Sequence, residues 1–341
     1  MKLTLHRSFP NDLAPEWNAL LEKTATHVPF MRYEYLKLWW DTRGGGEWPS
    51  AELALVTAQE NGRLVAAAPL FYTPDWQGRP ALLLVGSIEI SDYLDLLAQP
   101  GDLAVFIQAL LPFLKDAALP AWQALDLYNV LDDSPTLAAL CQAADQMGWS
   151  CRSEKLQHSP YIPLPGDWEA YLAGIDKKQR HEIRRKLRRA TDFPAPATWR
   201  IVSDHDGLDA HIADFMALMR MDADKNRFLT PAMAEHMRKT AHFAADNGIL
   251  NLAFLEIGGV KAAGYFSFDF LNRLWVYNSG INWQDYSEYS PGWVLLAHLL
   301  RWANENGRQA IDFMRGDEAY KYRFGAVDRF VMRITIEKPT S

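Results

Sequence analysis

The chain has only two cysteines, Cys141 and Cys151, in 341 residues. So few exclude a disulfide framework and a Cys-rich zinc site. No stretch approaches about 18 consecutive apolar residues, so no transmembrane helix is expected. The opening MKLTLHRSFPNDLAPEW holds no apolar run of signal-peptide type, and the expected location is the cytoplasm. Positive charge is in deficit: 35 Lys and Arg against 42 Asp and Glu give −7. A general affinity for nucleic acid is therefore not expected. The patterns G-x-x-x-x-G-K-[ST], H-E-x-x-H and G-x-S-x-G are all missing. The pairs His205/His211 and His236/His242 are each six apart. That spacing puts their rings on different helix faces, and no metal is expected.

What is present is ordinary globular composition, 49% hydrophobic and 23% charged, and an internal repeat. Residues 62–70, GRLVAAAPL, resemble 258–266, GGVKAAGYF, at an offset of 196. An apolar strand precedes each: Leu53-Ala54-Leu55-Val56 and Leu252-Ala253-Phe254-Leu255. Another follows each: 81–85 and 274–277. Asn61-Gly62 and Gly258-Gly259 are hairpin turn chemistry. Two helical patterns lead into each triplet, 11–24 and 32–42, then 206–221 and 230–246. A helix follows each, about 101–116 and 291–306, and then a short strand, 122–128 and 309–314. Each half reads β-α-α-β-β-β-α-β-α-β, an α/β class with a mixed sheet. Two similar domains are expected, roughly 1–155 and 190–341.

The joint between them holds a basic segment. KKQRHEIRRKLRRA, 177–190, has eight Lys and Arg and one acid, Glu182, leaving 27 basic and 41 acidic residues elsewhere. Ile183, Leu187 and Ala190 form a narrow apolar stripe at helical spacing. The segment reads either as a solvated helix pinned by that stripe or as a site for an anionic ligand. No aromatic is interleaved, which weakens a single-stranded RNA reading.

The second repeat holds the chemistry. Ser290-Pro291-Gly292 suits a helix start with a capping serine and a glycine that lets a ligand approach. Free N–H groups there can meet an anion. The first-half counterpart has Asp102 in its first turn, which repels one. Asp317 or Glu318 can serve as general base and Tyr320 as general acid, with Lys321 or Arg323 for an oxyanion or phosphate. They follow a strand end, where open α/β sheets place ligands.

Ser290-Pro291-Gly292…Leu295-Leu296 and Asp312-Phe313…Gly316-Asp317-Glu318…Tyr320-Lys321…Phe324-Gly325 resemble the GNAT-like acetyltransferases of the CelD/BcsL type, associated by name with cellulose biosynthesis. Pro29-Phe30, Ala68-Pro69-Leu70 and Lys178…Arg180…Ile183-Arg184-Arg185 add to the likeness. That family is similar to the Fem-type transferases in having two GNAT-like halves. The resemblance implies a GNAT-like domain without cofactor over 1–155 and a linker with the basic helix over 156–189. It implies an acyl-CoA-binding GNAT-like domain over 190–341. The implied reaction moves an acyl group from acetyl-CoA or another acyl-CoA to an amine of a small molecule or saccharide precursor. It needs no metal and lies in a cleft between the domains.

Carried over, Val276, Tyr277 and Asn278 would pair with the pantetheine. Backbone N–H groups near Asn278 and Ser279 would hold the oxyanion. Ser290, Gly292 and Trp293 would meet the pyrophosphate. Ser287 stands where the family's loop has a Gln or Arg, so Arg315 or the basic helix would supply the missing cation. Asp317, Glu318, Tyr320 and Lys321 would be catalytic, and Asp92, Asp95 and Asp269 would line the substrate side. Two alternatives stay open: a Fem-like transferase using aminoacyl-tRNA, and a non-catalytic pair that binds a polymer or synthase.

Overall fold

The computed structural model describes residues 1–193, 195 and 197–339. The chain divides into two units, Met1–His158 with Arg329–Ser341, and Ser159–Asp328. This shifts the expected boundaries. The basic helix belongs to the second unit rather than to a linker, and the last strand belongs to the first.

The first unit begins with strand β1 (Lys2–His6) and two helices, Ala14–Leu21 and Tyr33–Asp41. The expected strand triplet follows as β2 (Glu52–Leu53), β3 (Leu55–Glu60), β4 (Arg63–Ala68), β5 (Leu70–Trp76) and β6 (Arg79–Leu84). It counts five because two of the three strands are split, one at Ala54 and one at Pro69, which has no N–H to give a ladder. There the hairpin passes from one sheet to another, bridged by the Ala54 N–H donating to the Leu70 carbonyl at 2.8 Å. β7 (Leu97–Ala98), helix Pro100–Asp116, β8 (Ala124–Leu131), helix Pro135–Gln146 and β9 (Ser150–His158) complete the first repeat. Cys141 and Cys151 form one disulfide, Cα atoms 5.2 Å apart, tying the Pro135–Gln146 helix to β9. The sequence excluded a framework; it holds this single staple.

The second unit has β10 (Tyr161–Pro163), the basic helix Lys177–Thr191, β11 (Ala197–Val202), helices Leu208–Met219, Ala223–Phe228 and Pro231–Asp246, then β12 (Leu250–Ile257), β13 (Val260–Phe270) and β14 (Arg273–Ile281). Helix Pro291–Glu305, β15 (Ala310–Asp312) and the short helix Ala319–Arg323 follow. Its sheet runs β10-β15-β14-β13-β12-β11, with β14 and β15 parallel and the other neighbours antiparallel. Asn61, Gly62, Gly258 and Gly259 all have positive φ, as the predicted tight turns require. On the Pro291–Glu305 helix, Leu295, Leu296, Leu299 and Leu300 are fully buried in one core with Ile311 and Ile183. Burying each such side chain stabilises by roughly 1.5–3 kcal/mol.

The last strand, β16 (Phe330–Glu337), lies between β8 and β9 and is antiparallel to both. The first unit's larger sheet is therefore β2-β5-β6-β8-β16-β9, beside a second of β1-β3-β4-β7. Among the described residues no helix is long and apolar enough to cross a membrane.

Candidate active site

The site is built where two parallel strands part. β14 pairs with β15 only at Arg273↔Ala310, Leu274↔Ile311 and Trp275↔Asp312. β15 stops because its chain turns away: Met314 and Gly316 have φ of 56° and 107°. The fully buried Asp312 carboxylate pins that turn, accepting from the Met314 N–H at 2.9 Å. β14 continues to Ile281, and its register against β13 shifts between Phe266 and Ser267, leaving Tyr277 as the extra residue. Beyond Trp275 its outer edge has no strand partner among the described residues.

That edge is capped by side chains. The Ser279 N–H donates to Asn278 Oδ1 at 2.9 Å. The Ser279 carbonyl and Oγ accept from Lys225 Nζ, the latter at 3.2 Å. In an antiparallel strand both backbone groups of one residue face the same side. Ser279 therefore presents its donor and its acceptor to the open edge. Burial holds the Lys225 ammonium below the ordinary lysine range, against the pull of Asp222 and Glu318.

Facing it is the turn 313–318. Lys321, 2% exposed, ties this turn together. Its Nζ donates to the carbonyls of Arg315 and Gly316 at 3.0 Å and of Phe313 at 3.3 Å, and lies 2.8 Å from Glu318 Oε2. Tyr320 is half-buried and edge-on to Phe313, ring centroids 5.9 Å apart. Burial, then Tyr265 and Glu318, push its phenol well above the ordinary range, so it stays protonated at neutral pH. Burial does the same for Tyr265, whose hydroxyl donates to the Gly292 carbonyl at 3.4 Å. Asp317 and Glu318 are exposed and Arg315 is half-buried.

Several expectations change on contact with the structure. Ser290 makes no side-chain cap; it adopts a left-handed conformation, φ 52° and ψ 53°. Gly292 is buried, and a Cβ there would lie 2.3 Å from Ile281 Cδ1. Its small size therefore lets the helix sit on the end of β14. The Val276 side chain is core, and Tyr277 packs against Phe266 and Phe268 at 5.4 Å. Val276 can therefore serve a ligand only through its backbone. Trp293 is half-buried, its ring 4.5 Å from that of Phe324.

The three acids expected on a substrate side are divided between the units, Asp92 and Asp95 in the first and Asp269 in the second. Asp95 is 2% exposed and accepts from the hydroxyls of Thr26 and Ser134 at 2.6 Å and Thr136 at 2.5 Å, and from the Leu96 N–H at 2.7 Å. It is a structural hub of the first unit, with no lone pair left for a substrate. Asp92, half-buried, belongs to the same unit. Asp269 pairs with Arg308 near the β13–β14 turn, four residues along β13 from Tyr265, which faces Ser279. Lys225 was missed. Its signal was a break in the repeat: helix Ala223–Phe228, capped by Asp222, stands where the first unit has only a 3-10 turn, Pro29–Met31, between Ala14–Leu21 and Tyr33–Asp41.

Residues 177–322 match the family model described as an acetyltransferase (GNAT) domain. No curated protein matches the chain in sequence. The fold is similar to that of FemX at 12% identity, 97% of each chain covered and a TM-score of 0.67. It is similar to L-PGS from Bacillus licheniformis at 13% identity, with 98% of this chain and 94% of that one covered and a TM-score of 0.58. A tandem GNAT protein from the clavulanic acid biosynthesis pathway gives 14% identity, 100% and 99% coverage and a TM-score of 0.50. At these identities the likeness is one of fold. The chain has a mixed α/β, tandem GNAT-type fold, in agreement with the internal repeat, and the residues that match the family model lie in its second half.

Proposed function

We propose that the second unit is an acyl-CoA-dependent N-acyltransferase of the CelD/BcsL type. The observation that carries this reading is the open edge of β14 at Ser279, faced by the Glu318–Tyr320–Lys321 turn. Ser279 offers an N–H and a carbonyl spaced as a strand offers them, which suits the amide groups of a pantetheine arm. To receive it, Asn278 and Lys225 release Ser279. The first-turn N–H groups of the Pro291–Glu305 helix then meet the pyrophosphate.

The acceptor is an amine of a small molecule or saccharide precursor, and it must be neutral to attack the thioester. Glu318 takes its proton. Freed from Ser279, the Lys225 ammonium stands at the same edge to stabilise the oxyanion. Tyr320, held protonated, gives its proton to the departing thiolate. Lys321 is a positioning residue, since its ammonium is committed to the turn carbonyls and Glu318. Asp317 lies beside this machinery without a role in it.

A second reading has aminoacyl-tRNA as donor, favoured by the basic face of helix Lys177–Thr191. Calorimetric titration of CoA, acetyl-CoA and tRNA into the full chain separates them. Micromolar binding of both CoA species supports the first reading. A folded protein that ignores them and binds tRNA overturns it.

A further inference from the structure

The cations of helix Lys177–Thr191 are not spread evenly over solvent. Ile183 and Ala190 bury one face. On the other, Lys178, Arg185 and Lys186 line a concavity of about 540 Å³, closed by Trp293 and Arg323. Glu182 is the one carboxylate among its lining residues. It is already bound by Arg185, whose Nε and Nη2 donate to its two oxygens at 2.8 and 2.7 Å. Lys178 and Arg323 have no carboxylate partner among the described residues. Lys186 is held with its ammonium 4.3 Å from the centre of the Trp293 ring. Four cations face one carboxylate that is already engaged. Their mutual repulsion is relieved by a multivalent anion.

Position says which anion. Trp293 stands in the first turn of the Pro291–Glu305 helix, where the preceding reading seats a pyrophosphate. The concavity therefore lies beside that pyrophosphate, at the nucleotide end of the donor. The loop before the helix has no cation of its own: residues 287–290 are Ser-Glu-Tyr-Ser. We propose that this basic concavity binds the 3′-phosphate of the donor's adenine nucleotide, a phosphate monoester dianion. Lys178 and Arg323 are the direct ligands, and Trp293 fixes Lys186 between them. The inference rests on the acyl-CoA reading and deepens it. The protein then selects CoA over its 3′-dephosphorylated form.

The test is a set of titrations into the full-length protein, with CoA, dephospho-CoA and tRNA as probes. CoA is expected to bind about 30-fold more tightly than dephospho-CoA, equal to roughly 2 kcal/mol. In a Lys178→Ala/Arg323→Ala double variant the gap should fall to about 3-fold, with dephospho-CoA affinity unchanged. Both side chains are exposed, and a thermal melt confirms the fold. The gap should also shrink as salt rises. Equal affinity of the wild type for both nucleotides overturns this inference and leaves the acyltransferase reading standing. A gap that survives the double variant also overturns it, because the discrimination then lies elsewhere. Binding of neither nucleotide overturns both. If tRNA alone binds, and the double variant loses it, the concavity takes phosphodiesters instead.

Discussion

The two units solve the same geometric problem in opposite ways. In each, two parallel strands pair briefly and then part: β6 from β8 after Leu82↔Leu125, and β14 from β15 after Trp275↔Asp312. The first unit fills its gap with its own main chain. The Leu94 N–H donates to the Asn129 carbonyl at 3.0 Å. Asn129 Nδ2 donates to the carbonyls of Ile88 and Ser91 at 3.0 and 2.9 Å. In the second unit, the hydrogen bonds at the corresponding edge come from the side chains of Lys225 and Asn278. The connecting segments explain the difference. Ile90, Tyr93, Leu94 and Leu96 are apolar and buried, so the first collapses inward. Gln284, Asp285, Ser287 and Glu288 are polar and exposed, so the second stays out. Duplication gives two openings, and hydrophobicity decides which one remains.

The largest expected effect comes from unpinning the filled gap. Asp95→Ala strands three buried hydroxyls and should destabilise the first unit by roughly 3–5 kcal/mol. A urea midpoint equal to wild type rejects the hub role, and CoA binding by the second unit should persist.

Acid should pull the units apart in stability. Burial holds His236 down to about 4, so it is neutral in the fold and charges more readily when unfolded. Its contribution is complete above about pH 6.5 and is lost as pH falls toward 4, roughly 3 kcal/mol in all. Burial shifts Asp95 upward, which has the opposite sign: its penalty is absent below its ordinary 3.8 and grows as pH rises. Calorimetric melts at pH 7 and pH 4.5 should show the second unit weakening more than the first. Parallel shifts would contradict this.

Within the open gap, Tyr320→Phe should lower kcat about 100-fold, near 2.7 kcal/mol, with CoA affinity unchanged. An unaltered kcat would remove Tyr320 as the acid. The smallest effect tests the cap itself. Lys225→Ala spares the donor one displacement, so CoA should bind about 5-fold more tightly, near 1 kcal/mol, while turnover falls. Weaker CoA binding would make Lys225 a donor ligand rather than a cap.

Much of the fold was legible because it rests on local rules. The two tight turns, the apolar helix faces and the ten-element order of each repeat follow from turn chemistry and periodicity. The Glu318–Lys321 segment was legible as polar residues gathered after a strand end, but their hydrogen-bond partners were not. Lys321 became structural because its length lets it reach three carbonyls in a turn whose shape only the fold sets. Asp95 read as a ligand because spacing says nothing about the hydroxyls of Thr26, 69 residues away. The Cys141–Cys151 pair depended likewise on a helix packing against a strand.

β16 has a consequence for how the protein is made. Residues 330–337 fill a slot between β8 and β9, hydrogen-bonded on both sides. A ribosome finishes the other strands of that sheet while about 170 residues of the second unit are still to come. For that interval the nascent first unit carries two bare strand edges, the kind that pair with any chain nearby. The charged β9, with Arg152, Glu154 and Lys155, guards one of them. Vectorial synthesis thus makes the eight-residue strand β16 the step that closes the first of the two units.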